Sequence, residues 1–229
     1  MSNVPSAVDD PTSDTAIFLI LACLRQFPLA LGEAQKGSFN SQLGLSNNPQ
    51  DKILGIVGLG GIGTALARKA RVFGMVVQYY SRTRLPLNQE HRLGVTYVGS
   101  LDTLLSSSDV VSLNVPLNSE THHLISEKAF SIMKSTAILI NTARGPIVDE
   151  YALIQALERG VIAGAGLDVY ENEPHIPQVL LHNSKAVCLP HVGTVTVETQ
   201  RRMEAVCLYN LRYTIQTGAP PYVVPEQCG

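Results

Sequence analysis

From residue 53 onward, the chain alternates short apolar runs with segments of helical periodicity. Several runs are rich in β-branched residues, and they do not alternate apolar with polar positions, which is the pattern of parallel strands buried on both faces. The runs lie at residues 53–57, 75–80, 96–98, 110–113, 137–140, 164–167 and 186–189, with helical patterns at 62–73, 101–107, 127–133 and 150–159. These alternating βα units predict an α/β fold, a doubly wound parallel sheet with helices on both faces.

Composition and charge exclude several classes of protein. Of the 229 residues, 45% are apolar and 16% are charged, so the chain as a whole is not disordered. A net charge of −2 gives no electrostatic footprint for nucleic acid or for an anionic membrane. No metal-ligand cluster is visible, and we expect the adjacent His122 and His123 to be solvated. The cysteines form no CxxC pair, which favours free thiols in a reducing compartment: Cys23, Cys188, Cys207 and Cys228.

The N-terminal part of the chain has its own pattern. Its longest apolar stretch, at residues 16–24, is shorter than the roughly 20 residues that a membrane span requires. An acidic segment precedes it where a signal peptide would be basic, so we expect a cytoplasmic protein. Asp10 and Pro11 predict the N-cap and first position of one helix that runs to about residue 31. Because apolar residues surround this helix, we expect a second domain or another subunit to cover it.

A glycine-rich loop follows the first predicted strand and opens the next helix. It consists of Gly58, Leu59, Gly60, Gly61, Ile62 and Gly63, the G-x-G-x-x-G pattern of dinucleotide-binding domains. Such glycines permit a tight turn and the close approach of a pyrophosphate, which the N-terminus of the helix then faces. The order of strand, loop, helix and second strand favours this interpretation over a structural turn in another α/β fold.

The end of the second predicted strand indicates which dinucleotide binds. Domains that prefer NAD usually carry an acidic residue here, which binds the ribose hydroxyls. This chain instead has Ser81, Arg82, Thr83 and Arg84, and hydroxyl and guanidinium groups favour a 2′-phosphate. We therefore predict that NADP(H) is preferred and that NAD(H) is the lesser alternative. An ordinary solvated basic loop is the competing interpretation.

Three later segments place polar residues directly after predicted strands, at the edge where such sheets bind ligands. They contribute Arg144, Glu173 and His191. An arginine can bind a carboxylate through two hydrogen bonds, and a histidine can give a proton to a carbonyl oxygen as hydride arrives. A neighbouring carboxylate would favour the charged histidine. Each residue alone has an ordinary alternative (a surface ion pair, a loop carboxylate, a helix-entry residue), but together they predict 2-keto acid chemistry.

The chain resembles the D-isomer-specific 2-hydroxyacid dehydrogenases, in particular their glyoxylate/hydroxypyruvate reductase branch. The resemblance runs from about Val4 to Val224. It is carried by the phosphate loop and by three strand-end motifs, which are residues 141–145 followed by Val148 and Asp149, residues 166–169, and residues 190–193.

The resemblance implies a role for each candidate residue. Arg144 matches the arginine that binds the substrate carboxylate, Glu173 the partner of the histidine, and His191 the proton donor. Asp168 matches the carboxylate that receives the nicotinamide carboxamide. Further cofactor contacts are implied for Pro116, Thr121, Thr142, Ala143 and Gly193.

The resemblance also implies a domain organisation. Family members carry a flavodoxin-like substrate domain before the cofactor domain, so residues 1–10 are expected to be the end of a substrate domain. Residues 11–195 would form the dinucleotide-binding domain, in which 11–31 match a dimerisation arm and imply a homodimer. Residues 196–229 match a helix and tail that return to the substrate domain, so we expect apolar side chains there to be exposed.

Two functional hypotheses follow. The leading one is an oxidoreductase that moves a hydride between NADPH and a small 2-keto acid, glyoxylate or hydroxypyruvate, with turnover reduced because the family's substrate-contacting loop has no counterpart. The alternative is an NAD(P)-binding module without turnover, either a pseudoenzyme or a redox-sensing partner. The presence of Arg144, Glu173 and His191 favours the enzyme. Formate dehydrogenases, which are relatives, have glutamine where this chain has Glu173 and are disfavoured.

Overall fold

A computed structural model describes residues 2–39 and 43–223, and its centre is a parallel sheet of seven strands. The strands are β1 Ile53–Val57, β2 Val76–Tyr80, β3 Val95–Tyr97, β4 Val110–Leu113, β5 Ile138–Asn141, β6 Gly164–Leu167 and β7 Ala186–Cys188. The helices are α1 Asp9–Arg25, α2 Phe27–Gln35, α3 Gly61–Val72, α4 Leu87–Leu93, α5 Leu101–Ser107, α6 Glu127–Ile132, α7 Glu150–Glu158, α8 Gln178–Leu181 and α9 Val197–Thr217, and a 3-10 helix covers Gly145–Ile147. The predicted doubly wound α/β fold is confirmed.

The order of the strands creates a crevice at one edge of the sheet. The order is β3-β2-β1-β4-β5-β6-β7, and all neighbouring pairs are parallel. The chain therefore winds outward from β1 to β3, returns to β4, and winds outward on the other side. Val57 at the end of β1 pairs with Tyr80 of β2 and with Leu113 of β4. The loops after these strands consequently meet where the winding reverses, which is where doubly wound sheets bind ligands.

Apolar side chains cover both faces of the sheet. On one face, Leu104, Phe130 and Leu153 of α5, α6 and α7 are buried against the strands. On the other face, Leu19 and Leu66 of α1 and α3 are buried in a second cluster. All residues of β4, β5 and β6 are buried, which explains why these strands show no alternation of apolar and polar residues.

The N-terminal helical segment differs from the prediction. The single helix expected over residues 11–31 is two helices, α1 and α2, bent by 69°. They are separated by Gln26, which has a left-handed backbone conformation. α1 begins at Asp9, so Asp10 is not its N-cap, and Pro11 is accommodated because amides in the first turn have no helical partner.

α1 is covered by its own domain. Its contacts are mainly with α3, β5 and β6, and the residues that it buries include Ala16, Leu19, Ile20, Ala22 and Leu24. The expectation that a second domain or subunit must cover this helix is therefore wrong for α1, since its apolar face completes the core of the sheet. The apolar side chains that remain exposed on α1 and α2 are Phe18, Phe27, Leu29 and Leu31. No single helix in the described ranges is long and apolar enough to cross a membrane, and α1 with α2 meets the length and composition test only as a bent pair.

α9 carries exposed apolar side chains at Leu208, Leu211 and Ile215. Its Asn210 is buried and donates a hydrogen bond of 3.0 Å to the carbonyl oxygen of Asn3, which joins the two ends of the described chain. Among the described cysteines, three are free, namely Cys23, Cys188 and Cys207. Cys228 lies outside the described residues.

Candidate active site

The glycine-rich loop leads from β1 into α3. Gly58 has a φ of +90°, and a Cβ atom there would lie 2.7 Å from the carbonyl oxygen of Asn114, so the turn requires glycine. Gly60 precedes α3 and makes no side-chain cap. No side chain in the described part of the chain caps the amides in the first turn of α3, which are those of Gly61, Ile62 and Gly63. Such amides are available to an anion.

A cavity of about 490 Å³ lies over the carboxyl ends of β1, β2 and β4. Most of the residues predicted for the adenine half of the cofactor line it, including Gly58, Gly60, Ser81, Arg82, Thr83, Pro116 and Thr121. Asn114 also lines the cavity, and its Oδ1 is buried without a hydrogen-bond partner in the described part of the chain. Buried polar atoms are rarely left unpaired, so this atom marks a position where a bound ligand would donate a hydrogen bond.

The two arginines after β2 have different partners. Arg82 forms a 2.8 Å ion pair with Glu120, and both side chains are exposed at the rim of the cavity. Arg84 instead binds the two carboxylate oxygens of Glu90 at 2.8 Å each and stacks over the ring of Tyr97. The Glu90 carboxylate is buried and also accepts a 2.7 Å hydrogen bond from Tyr79, and its pKa falls to about 2, chiefly through the hydrogen bonds from Arg84.

Only some of the residues predicted to bind a 2′-phosphate lie at the cavity. Ser81, Arg82 and Thr83 lie at the cavity, and the hydroxyl of Ser81 donates 2.6 Å to the carbonyl oxygen of Thr83. Arg84 does not line the cavity, because the buried Glu90 needs a guanidinium partner. No local sequence pattern predicts this ion pair, since Glu90 lies on α4, a helix absent from the predicted elements.

The predicted acid–base pair is assembled at the end of β6 and β7. Nδ1 of His191 lies 2.7 Å from Oε2 of Glu173, and Oε1 of Glu173 accepts a 3.1 Å hydrogen bond from the Tyr170 amide. Burial by itself raises the pKa of Glu173, but the hydrogen bonds from His191 and Tyr170, with the charges of His191 and Arg144, hold it below its usual range. Since Nδ1 is engaged, Nε2 is the ring nitrogen that remains for a substrate.

Asp168 supports the backbone of this histidine. His191 has a φ of +56°, a left-handed conformation that non-glycine residues seldom adopt. The buried carboxylate of Asp168 accepts hydrogen bonds of 2.8 Å from the amides of Val192 and Gly193. These two bonds fix the turn that follows His191. The resemblance had assigned Asp168 and Gly193 only to the nicotinamide carboxamide, so this supporting role was missed.

Arg144 lies in the loop after β5. The side chain of Asn141 organises this loop, since it donates 3.0 Å to the carbonyl oxygen of Arg144 and accepts 3.1 Å from the amide of Ala143. The Arg144 side chain is exposed, and its charge lowers the pKa of Glu173. The Oγ1 atom of Thr142 is buried without a partner among the described residues. Thr142 and Ala143 thus lie between the arginine and the end of the sheet, where the resemblance places the nicotinamide half of the cofactor.

His122 and His123, which the sequence predicts to be solvated rather than ligating, differ in their contacts. Nε2 of His123 lies 2.6 Å from Oε1 of Glu171, and only 38% of its side chain is exposed. His122 is exposed and stacks on the ring of His123, with 4.1 Å between the ring centroids. Glu171 is 48 residues away along the chain, so no local sequence signal could have shown the pair.

Comparison with known proteins decides the family. The family model described as "D-isomer specific 2-hydroxyacid dehydrogenase, NAD binding domain" matches residues 17–193, which is more than half of the chain. The chain belongs to this family. It is 48% identical over 227 residues to 4-methyl-2-oxopentanoate reductase A of Aspergillus oryzae, which covers 99% of this chain and 68% of that protein.

Solved structures agree with this assignment. A glyoxylate reductase from Paecilomyes thermophila superposes with a TM-score of 0.94 at 47% identity, covering 99% of this chain and 68% of that one. An NADPH-dependent glyoxylate/hydroxypyruvate reductase from Sinorhizobium meliloti, in complex with NADP and malonate, gives a TM-score of 0.91 at 35% identity, covering 98% of this chain and 70% of that one. As a 2-hydroxyacid dehydrogenase, the chain is an oxidoreductase that acts on the CH–OH group of a hydroxy acid with a nicotinamide cofactor.

Proposed function

We propose that this 2-hydroxyacid dehydrogenase reduces a small 2-keto acid with NADPH, and that glyoxylate and hydroxypyruvate are its first candidate substrates. The observation that carries the proposal is the 2.7 Å contact between His191 and Glu173, with the charge of Arg144 close enough to lower the pKa of Glu173. The similarity to the P. thermophila glyoxylate reductase and to the S. meliloti glyoxylate/hydroxypyruvate reductase supports this choice of substrates.

The residues at the crevice fit a dinucleotide. The start of α3 offers a pyrophosphate amides that no described side chain caps. The buried Oδ1 of Asn114 and Oγ1 of Thr142 would each gain a hydrogen-bond partner from a ligand. At the rim, Ser81 and Thr83 provide hydroxyls for a 2′-phosphate and Arg82 provides the guanidinium. An exposed ion pair such as that of Arg82 contributes little stability, so Arg82 can leave its carboxylate partner at small cost.

Arg144, His191 and Glu173 would bind the substrate and transfer the proton. When bound, the reduced nicotinamide supplies the hydride. Arg144 binds the carboxylate of the keto acid and so orients its carbonyl carbon. His191 holds a proton on Nε2 and gives it to the carbonyl oxygen. Glu173 fixes the imidazole through Nδ1, which keeps the proton-bearing nitrogen directed at the substrate and stabilises the charged ring.

The domain organisation is part of the proposal. Residues 1–10 would end a substrate domain, residues 11–195 form the cofactor domain, and residues 196–229 return toward the substrate domain. The exposed apolar side chains of α9 suit such a contact. The exposed apolar side chains of α1 and α2 suit a dimerisation arm over 11–31, which equilibrium sedimentation of wild type and Leu31→Asp would test. A dimer that persists in the variant would contradict this part.

The function is tested by NADPH oxidation with purified protein and either glyoxylate or hydroxypyruvate. Wild type, Arg144→Ala and Arg159→Ala are compared, because Arg159 is an exposed arginine at the end of α7 outside the site. We expect turnover in wild type and Arg159→Ala, and its loss in Arg144→Ala with NADPH binding retained. No turnover in wild type, while NADPH still raises its melting temperature, would instead support the binding module without activity. Loss of NADPH binding in Arg144→Ala would contradict a substrate role for Arg144.

A further inference from the structure

His123 lies where three functional segments of the chain meet. It follows Thr121, a residue of the cofactor cavity, by two positions. Its amide donates 2.8 Å to the carbonyl oxygen of Pro146, two residues after Arg144. Its Nε2 lies 2.6 Å from Glu171, two residues before the catalytic carboxylate. His123 therefore connects the cofactor loop with the segment that carries Arg144 and with the segment that carries Glu173.

The partner of His123 is one of two closely packed carboxylates. The amide of Glu150 donates 3.3 Å to Oε1 of Glu171, and the amide of Glu171 donates 3.3 Å to Oε2 of Glu150. Burial raises the pKa of Glu150 and the charge of Glu171 adds to the rise, although the hydrogen bond from the Glu171 amide and the charge of His175 lower it. The 2.6 Å hydrogen bond from His123 is the shortest of the three bonds that hold this pair, so it is the one that fixes Glu171 most firmly.

The position of Glu171 determines that of the catalytic turn. Residues 171–174 form a turn, and the amide of Tyr170 donates a 3.1 Å hydrogen bond to Oε1 of Glu173 within this segment. On its other side, the backbone of Tyr170 and Glu171 packs directly against Gly145, the neighbour of Arg144. A displacement of Glu171 would therefore be transmitted to both Glu173 and Arg144.

The backbone of His123 is also unusual. Its φ is +50°, in the left-handed region, and non-glycine residues remain there only where their surroundings hold them. The amide bond to Pro146, the ring stacked on His122 and the bond to Glu171 provide those restraints. None of these contacts reaches the cavity, so His123 acts through other residues.

We propose that His123 is a positioning residue for the reaction, and that its hydrogen bond to Glu171 holds the Glu173 turn and the Arg144 loop in register. This inference deepens the proposed function and rests on it. The first test uses His123→Phe, which keeps an aromatic ring beside His122 but removes Nε2, and His123→Gln, whose amide can still donate to Glu171. His122→Phe is the matched control, because His122 is exposed and stacks on the same ring.

With the keto acid as substrate, we expect kcat of His123→Phe to fall about tenfold or more, since small displacements of catalytic groups cost that much. The NADPH dissociation constant should change less than about twofold, since the phosphate loop and the 2′-phosphate residues are untouched. His123→Gln should recover most of the rate, and His122→Phe should match wild type. If the role of His123 were merely structural, His123→Phe would lower the melting temperature without lowering kcat more than it weakens NADPH binding. That outcome would overturn the proposal.

A second readout does not depend on turnover. The carboxyl group of Glu173 is titrated by ¹³C NMR in wild type and in His123→Phe. We expect the low pKa of Glu173 to rise toward its ordinary value in the variant, because the bonds from His191 and Tyr170 are loosened. An unchanged pKa would overturn the proposal. If wild type shows no turnover, the proposed function fails, while this titration still decides the positioning role.

A double-mutant comparison guards against misfolding of one variant. Glu171→Ala breaks the same contact from the other side. If both residues act through their shared bond, His123→Phe combined with Glu171→Ala should lose no more activity than the stronger single variant. Additive losses would show that the two residues act independently and would overturn the proposal.

Discussion

Arg84 is bound to Glu90 by two hydrogen bonds of 2.8 Å each, and this pair separates two arginines that look equivalent in the sequence. Glu90 is buried, so its charge depends on the guanidinium. Arg82 pairs with an exposed carboxylate, that of Glu120, and lies at the rim of the cofactor cavity. If the proposed preference for NADPH holds, Arg82 is the arginine expected to recognise the 2′-phosphate, whereas Arg84 has a structural role.

Cofactor preference tests this assignment. Arg82→Ala should weaken NADPH binding by about tenfold, the effect of losing one charge-assisted hydrogen bond to a phosphate, and should leave NADH binding nearly unchanged. Arg84→Ala should change neither the NADPH nor the NADH dissociation constant much. Fluorescence titration of each variant with both dinucleotides measures the ratio. Equal losses for both cofactors in Arg82→Ala would show that Arg82 does not recognise the phosphate.

The removal of Glu120 provides the complementary experiment. Glu120→Gln frees Arg82 from its 2.8 Å ion pair and removes a negative charge from the rim of the cavity. NADPH should therefore bind more tightly in the variant, by a few-fold, consistent with the small energy of exposed pairs. NADH, which has no 2′-phosphate, serves as the internal control. Weaker NADPH binding would contradict the proposed competition between carboxylate and phosphate.

Stability in acid tests the role of Arg84. Folding lowers the pKa of Glu90 from 4.5 to about 2, so the pair contributes stability that is fully present above the unfolded value. That contribution is lost as the pH falls through the folded value. Arg84→Ala should be less stable than wild type at pH 7, and the difference should shrink as the pH approaches 2. Urea unfolding at several pH values measures it, with the exposed Arg92→Ala as control. A difference that does not depend on pH would contradict the ionic origin.

Much of the fold could be predicted because its signals are local. Buried parallel strands are short apolar runs, and the turn at Gly58 needs a glycine that the sequence displays. The prediction of one helix over 11–31 was wrong because Gln26, an ordinary helix former, adopts a left-handed conformation that ends α1. α4 was missed because Leu87 and Leu93 are its only apolar residues, so its sequence shows no apolar helical period.

The site could be predicted only in part, for a physical reason. The carboxyl ends of parallel strands all lie at one edge of the sheet. Residues that directly follow such strands are therefore grouped there, and the grouping of Arg144, Glu173 and His191 follows from this topology. Hydrogen bonds between residues of distant segments produce no local sequence pattern from which they could be predicted. The bonds of Glu171 to His123 and of the Gly193 amide to Asp168 are of this kind, and each connects residues more than 20 positions apart.

The pair of Glu173 and His191 predicts a pH dependence. Glu173 must be ionised to hold the imidazole, and its pKa lies below the ordinary value of 4.5. In wild type, the midpoint of any loss of rate caused by this group should therefore lie below pH 4.5. Glu173→Gln removes the charge at every pH and should lower kcat by about 100-fold. Initial rates between pH 4 and 9 provide the profile, with His191→Gln as the variant without the acid. If Glu173→Gln or His191→Gln left the rate unchanged, the residue replaced in that variant would have no role in the reaction.

A substitution at Asp168 tests the support of the histidine turn. Asp168→Asn replaces one acceptor oxygen by an NH₂ group that would face the amide of Val192 or Gly193. Losing one buried hydrogen bond in this way should cost about 1–3 kcal/mol of unfolding free energy. The turn at His191 would also be released, so kcat should fall together with stability. Urea unfolding and initial rates measure the two effects. Full activity in a destabilised variant would show that the turn does not need Asp168.

Gly145 provides the sharpest steric test of the assembled site. A Cβ atom at this position would overlap the backbone carbonyl group of Tyr170 and the amide of Glu171. Gly145→Ala must therefore push the Arg144 loop away from the Glu173 turn, and both catalytic groups would be displaced. We expect kcat/KM for the keto acid to fall by at least about 100-fold, while NADPH binding at the distant phosphate loop changes little. Gly44→Ala is the matched control, because a Cβ there meets no atom within 4 Å. If Gly145→Ala were as active as this control, close packing of the two loops would not be required for catalysis.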